Sequence, residues 1–464
     1  MADQRVNGLS MVLAGALSLV SPAASMAAAF AIIEHSAQGM GNAFAGGGAV
    51  AEDASTVWFN PASMTRLPSQ MQASGHVILP TFEFTDAGSV QAVGPATVPL
   101  LPAAPTVDDG GKPALVPNFY YIRRINERMS FGLAVNAPFG LATEYDSDWK
   151  GRYQAIESEI INLNVNPAFA YKLSNSLSIG AGVSANYIDA KLTNAVDFAA
   201  VCAATVGAGA CPNGAVPGQG AFDGFTEVKA DDISFGFNLG VFYEPSSRTR
   251  MSLAYRSQIN HSLDGNVTFT QPTTLGGFAA LGPVLGAGLA STFANDGASA
   301  GVSLPDTFSF GMYHRVAPKI GLMGDITWTN WATIPELRIV FDSPTTAGGP
   351  SVETLNWKNT YRFSLGMNYY HNDKMTFRTG VAYDESPVPD PTARTPRLPD
   401  NDRLWLAIGG SYRVSDRLSA DFGYAHLIID DTRIQRTGST GSVLIGNYES
   451  DANILSIQVN YTFD

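Results

Sequence analysis

A period-two alternation of apolar and polar side chains, held over unusually long runs, constrains this chain more than any other feature. Near the C-terminus Leu455, Ile457, Val459, Tyr461 and Phe463 alternate with Ser456, Gln458, Asn460 and Thr462. Tyr361, Phe363, Leu365, Met367 and Tyr369 repeat the pattern, as do Ile233, Phe235, Phe237, Leu239, Val241 and Tyr243. Strands in soluble proteins run to about 5–6 residues. These run to about ten or more, the length that crosses a bilayer at a tilt. Fourteen such segments are expected, at roughly 70–85, 113–124, 128–139, 158–173, 176–192, 227–244, 249–263, 302–316, 319–333, 353–371, 374–386, 401–414, 417–432 and 445–463.

Their connections fall into two kinds. Tight polar turns follow Arg124, Glu244, Val316, His371 and Val414, whereas 86–112, 193–226, 264–301 and 433–444 are long. Short links on one side, long links on the other and an even strand count describe an outer-membrane barrel. The expected fold is therefore all-β: a transmembrane antiparallel β-barrel of fourteen strands, with Tyr243, Tyr369, Tyr412 and Tyr424 as girdle candidates. Composition agrees, because only 15% of residues are charged, against roughly 25% in soluble chains. Lipid explains the apolar face and closure removes the sheet edges. The net charge of −13 argues against nucleic acid as a partner.

Arg5, the apolar run Met11–Val20, the break at Ser21-Pro22 and the small residues Ser25 and Ala27 read as an export signal over residues 1–27. Cys202 and Cys211 share the 193–226 connection, and in an oxidising compartment they read as a loop disulfide. No third Cys or His lies near them, so a metal pair is not expected. No P-loop, HExxH or GxSxG motif occurs. Gly46-Gly47-Gly48-Ala49-Val50-Ala51 formally matches GxGxxA, but no strand precedes it. His35, His76, His261, His314, His371 and His426 are scattered over separate segments. Neither a cofactor nor a metal is expected, and the chain does not read as an enzyme.

Residues 28–69 are Gly/Ala-rich, lack alternation and precede the first strand. A fourteen-stranded barrel encloses more space than its own side chains fill, so this segment is the expected plug. Phe30-Ala31-Ile32, Gly39-Met40-Gly41-Asn42-Ala43, Ala51-Glu52-Asp53-Ala54 and Asn60-Pro61-Ala62 resemble the hatch of FadL-type long-chain fatty acid transporters. Asn136-Ala137-Pro138-Phe139-Gly140-Leu141-Ala142-Thr143 is similar to their third strand. The run Phe377 to Pro389 is similar to their eleventh strand and following loop, and Leu398 to Trp405 to the twelfth. The resemblance implies three units: a signal peptide at 1–27, a hatch at 28–69 and a barrel at 70–464. It also implies capture by outer loops, passage past the hatch and sideways release into the Gram-negative outer membrane. The substrate would be a long-chain fatty acid; aromatic hydrocarbons are the alternative within the family, and a gated general porin, a lipid-modifying barrel enzyme or an adhesin lie outside it. Outer-membrane lipid and a hydrophobic small molecule are the expected partners, and a monomer the expected state.

Candidate site residues follow from the chemistry. A carboxylate needs a cation, and Arg362, Arg378 and Arg403 come from three consecutive strands; the other reading makes them a lumen salt-bridge ladder with Asp384 and Asp421. Leu275, Phe278, Leu281, Leu285 and Leu289 fall at helical spacing in an uncharged run. They form either an exposed binding patch or a helix packed on the 193–226 loop. Phe30, Asn60, Pro61 and Ala62 are the hatch candidates. In Asn136, Ala137, Pro138, Phe139 and Gly140, Pro138 removes a ladder donor within a strand, which marks a lateral opening; the other reading is that Pro138 merely ends the strand at the outer rim.

Overall fold

The computed structural model describes residues 29–463, so the expected signal at 1–27 lies outside the described residues. Long alternation becomes long strands. β1 is Gln70–Asp86, β2 Ala114–Arg124, β4 Glu157–Lys172, β5 Leu177–Asp197 and β6 Asp223–Ser246. β11 is Met375–Asp384, β12 Arg403–Arg413, β13 Leu418–Thr437 and β14 Ser442–Thr462. Five strands come in two pieces. β3 is Met129–Asn136 and Gly140–Glu144, β7 is Thr249–Arg256 and Ile259–Thr270, and β8 is Asp296–Leu304 and Thr307–Ala317. β9 is Ile320–Thr329 and Glu336–Phe341, and β10 is Ser351–Thr354 and Thr360–Tyr370.

Each strand pairs antiparallel with the next, and β14 returns to β1, with Gln70 opposite Thr462 and Asp86 opposite Gly446. The fourteen strands therefore form a closed wall. Closure satisfies the backbone without water, as a bilayer demands. The apolar set faces out, so Phe235 is 73% exposed and Ile457 69%, while Ser456, Gln458 and Asn460 are buried on the lumen side. Tyr243, Tyr369 and Tyr412 stand beside the short turns on the outer surface. Tyr424 sits in mid-strand, where its hydroxyl donates to Asn453 Oδ1 at 2.8 Å.

Several strands outrun their expected bounds. β5 and β6 continue to Asp197 and from Asp223, β7 reaches Thr270 and β8 starts at Asp296. The expected long connection 433–444 shrinks to the few residues between Thr437 and Ser442. Beyond the lipid nothing selects an apolar face, so the pattern stops while the ladder continues. Charge pairs such as Lys191 with Glu157 and Lys112 with Glu144 lie toward that end of the wall.

Residues 29–69 pack inside the wall as single-turn helices at Ala37–Met40, Gly47–Val50 and Thr56–Phe59, then a 3-10 helix at Pro61–Arg66. Asn60 anchors the turn: its Oδ1 accepts the Ala62 N–H at 3.0 Å and its Nδ2 donates to Val241 O at 2.9 Å and Leu253 O at 3.2 Å. Gln458 Oε1 accepts the Ala37 N–H at 2.8 Å. Backbone meets wall so closely that a Cβ on Gly240 would strike Asn60, and one on Gly380 would strike Asn42. Lumen-facing glycines here make room for another chain segment.

Candidate functional site

β3 is regular while its pleat is intact. Asn136 lies opposite Asn164 of β4, and pairing resumes at Gly140 opposite Ile161. Ala137, Pro138 and Phe139 are thus opposed by only Asn162 and Leu163, which is a bulge. On the other side, β2 pairs with β3 only as far as Phe119 opposite Val135. The stretch Ala114–Asn118 therefore keeps β1 as its ladder partner but has none in β3. Pro138 supplies no N–H there.

The N-terminal segment satisfies the broken edge. Ile32 N–H donates to Pro138 O at 2.8 Å, and Gly140 N–H donates to Phe30 O at 2.9 Å. Asn118 Nδ2 donates to Glu34 O at 2.8 Å, and Asn136 Nδ2 meets His35 Nδ1 at 3.2 Å. Residues 30–35 thus fill the interruption between β2 and β3. Burial pushes the Glu34 carboxyl up to about 7, against the pull of the Glu34 and Ile33 backbone and of Arg362 and Arg403.

Two cavities flank this contact. The first, about 120 Å³, lies on the long-loop side and is walled almost wholly by apolar side chains, among them Leu141, Ile160, Ile188, Leu263 and Leu337. Arg397, Glu353 and Glu336 also border it. Arg397 Nη1 donates to Ser158 Oγ at 3.0 Å, and its Nε lies 3.7 Å from Glu353. The second, about 160 Å³, reaches His35, Trp58, Tyr255, Arg256, Arg362 and the bulge residues Pro138 and Phe139.

Aromatic rings partition the two. Phe30 lies 5.7 Å from Phe139, 5.2 Å from Trp331 and 6.0 Å from Trp357, and Trp331 meets Trp357 edge-on at 5.5 Å. Phe30 and Trp357 border the first cavity; Phe139 and Trp331 border the second. Trp331 turns inward because β9 leaves its ladder between Thr329 and Glu336, where a 3-10 turn and Pro335 intervene.

The arginines singled out from sequence are already engaged. Arg362 Nη2 donates to Ala43 O at 2.9 Å, and its Nε lies 4.0 Å from Asp384. Arg378 bonds Ser411 and stands 3.6 Å from Asp421, while Arg403 pairs with Asp400. Of the three, Arg362 borders the second cavity.

The apolar loop run does not form one helix. Leu275, Gly276 and Gly277 have positive φ and Gly282 another, splitting the run into a 3-10 turn at Thr274–Leu281 and a helix at Gly282–Thr292. Phe278 and Leu289 bury themselves against Phe198 of the 193–226 connection, with Phe278 at 4.9 Å ring to ring; Leu281 and Leu285 are half-buried there and Leu275 is 40% exposed. Cys202 and Cys211 form a disulfide in the same connection, with Cα atoms 6.0 Å apart.

Arg256, which also borders the second cavity, is absent from the candidates drawn from sequence. It follows the outward set Met251, Leu253 and Tyr255, so period two alone places it inward, as it placed Arg362. Trp331 and Trp357 gave no such signal, because they stand where their strands leave the ladder.

The family described as "Outer membrane protein transport protein (OMPP1/FadL/TodX)" matches residues 17–463. A long-chain fatty acid transport protein of Escherichia coli O6:H1 is 30% identical over 461 residues, covering 97% of this chain and 98% of that protein. The crystal structure of a Pseudomonas aeruginosa FadL homologue superposes with a TM-score of 0.82 at 24% identity, covering 94% of this chain and all of that one. That of the Ralstonia pickettii toluene transporter TbuX gives 0.59 at 17%, covering 89% and 94%. The barrel resides in the Gram-negative outer membrane and serves uptake of hydrophobic molecules, without enzymatic chemistry. A closed fourteen-stranded wall and an end-to-end family match together establish that this chain belongs to the outer membrane protein transport family (OMPP1/FadL/TodX).

Proposed function

We propose that this barrel takes up long-chain fatty acids or molecules of similar shape. Outer loops and the first cavity capture the tail, the N-terminal segment 28–69 acts as a hatch within the 70–464 barrel, and the molecule leaves sideways at the β3 bulge. One observation carries the reading: two chambers, bordered where they approach by the contacting rings of Phe30, Phe139, Trp331 and Trp357, lie between the loop side and the residues where β2 and β3 lose contact. Each methylene kept out of water is worth about 0.8 kcal/mol, so a route with apolar surface at every stage lowers the barrier for a long tail. The fatty acid reading draws on the Escherichia coli relative's substrate. A monomer suffices, since closure leaves no free edge to recruit a second copy.

The test is purified protein in liposomes, with entry of oleate, toluene and sugars measured side by side. Oleate entry well above protein-free vesicles, without sugar swelling, supports the proposal. Toluene entry without oleate entry would replace it with an aromatic hydrocarbon channel, and sugar swelling alone with a general porin.

A further inference from the structure

Among the described residues Arg256 differs from Arg362, Arg378 and Arg403 in having no carboxylate partner. Its guanidinium lies 3.3 Å over the Trp58 ring, Nη2 donates to Trp58 O at 2.8 Å, and Nη1 reaches Ser184 Oγ only at 3.5 Å. The stack fixes the plane of the fork but uses few of its five N–H groups. The rest of its surface borders the second cavity, whose wall also contains Ile33, Phe59, Leu239, Pro138 and Phe139. On the adjoining strands Ser309 Oγ and Thr327 Oγ1, which also border the cavity, bond each other at 2.9 Å. Asp384, the acid on the same wall, faces Arg362. The wall of that cavity mixes these apolar side chains with polar ones such as His35, Asn238 and Thr307, so a guanidinium without a paired carboxylate keeps donors free that a bound anion would take up.

We propose that Arg256 is the carboxylate-binding residue of the inner chamber, holding an acid's head group while the tail points to the β3 bulge. This deepens the uptake reading and rests on it. The stack on Trp58 pre-organises the guanidinium, so little entropy is lost when two carboxylate oxygens bind. The site then separates acids from neutral molecules of equal length: a long-chain alcohol crosses the chamber without holding there, whereas the acid pauses as an ion with its head still paired. Arg362, Arg378 and Arg403 serve the wall and the N-terminal segment instead.

The experiment compares the parent, Arg256→Gln and Arg256→Lys in liposomes, with assembly checked by heat-modifiable migration. Oleate and oleyl alcohol entry are measured in each, and carboxyl-labelled oleate bound to the purified protein is followed by carbon-13 NMR. Arg256→Gln should lower oleate entry at least roughly tenfold, leave oleyl alcohol entry at the parental rate and remove one bound carboxyl resonance. Arg256→Lys should keep that resonance and restore much of the entry. Equal losses for acid and alcohol, or no loss with the resonance intact, would overturn the assignment and leave uptake standing. A parent that admits neither compound would instead overturn the uptake reading itself.

Discussion

Glu34 offers the sharpest handle on the contact between the N-terminal segment and the wall. Its side chain is wholly buried and neither carboxyl oxygen has a well-formed hydrogen-bond partner among the described residues. Its backbone carbonyl accepts Asn118 Nδ2 on β2, so it sits at the interruption beside β3. Burial pushes its carboxyl from 4.5 to about 7. A raised carboxyl favours the seated state while it is neutral. The contribution is therefore complete below pH ~4.5 and fades as pH rises through about 7. A rise from 4.5 to about 7 corresponds to roughly 3 kcal/mol, or about a hundredfold in the ratio of seated to released states. We expect opening events in planar-bilayer conductance to become up to about a hundredfold more frequent between about pH 5 and pH 8. Glu34→Gln keeps the shape and removes the charge, so it should hold the low-pH behaviour throughout. The same pH slope in E34Q and the parent, or more openings at low pH, would show that the Glu34 carboxyl does not hold the segment in place.

Three further outcomes follow from the geometry. Replacing Ala137-Pro138 by Val-Thr restores a ladder donor and should extend pairing toward Asn118, abolishing fatty acid uptake while binding at the first cavity survives; parental uptake in an assembled variant would rule out the sideways route. Arg378→Ala leaves buried Asp421 held only by Ser411, Gln458 and Asn460, a loss of at most about 3–5 kcal/mol; its thermal midpoint should fall while acid and alcohol uptake stay matched, and a selective loss for the acid would return Arg378 to the substrate path. Deleting Phe30 to Ser69 removes the contacts to Gln458, Val241 and Leu253 and should leave an assembled barrel that conducts small ions; a conductance as low as the parent's would mean that something else closes the lumen.

The wall was legible from local pattern. Period two over ten or more residues places one set of side chains in lipid and the other in the lumen, and that constraint acts residue by residue along each strand. It therefore marked fourteen strands and the inward side of Arg362, Arg378 and Arg403 from local pattern alone. Its reach ends with the lipid, which is why β5, β6, β13 and β14 run past their expected ends. Pro138 announced a broken ladder because a missing N–H is a local fact. What fills the break is not local: Ile32, Phe30 and Glu34 bond to residues about a hundred positions away. The partition formed by Phe30, Phe139, Trp331 and Trp357 likewise joins four distant segments. Tertiary structure alone also decided which arginines are spent and which is open. An ion pair depends on where a partner's side chain arrives: Asp384, Asp421 and Asp400 reach their arginines, and none reaches Arg256, which meets the face of Trp58 instead.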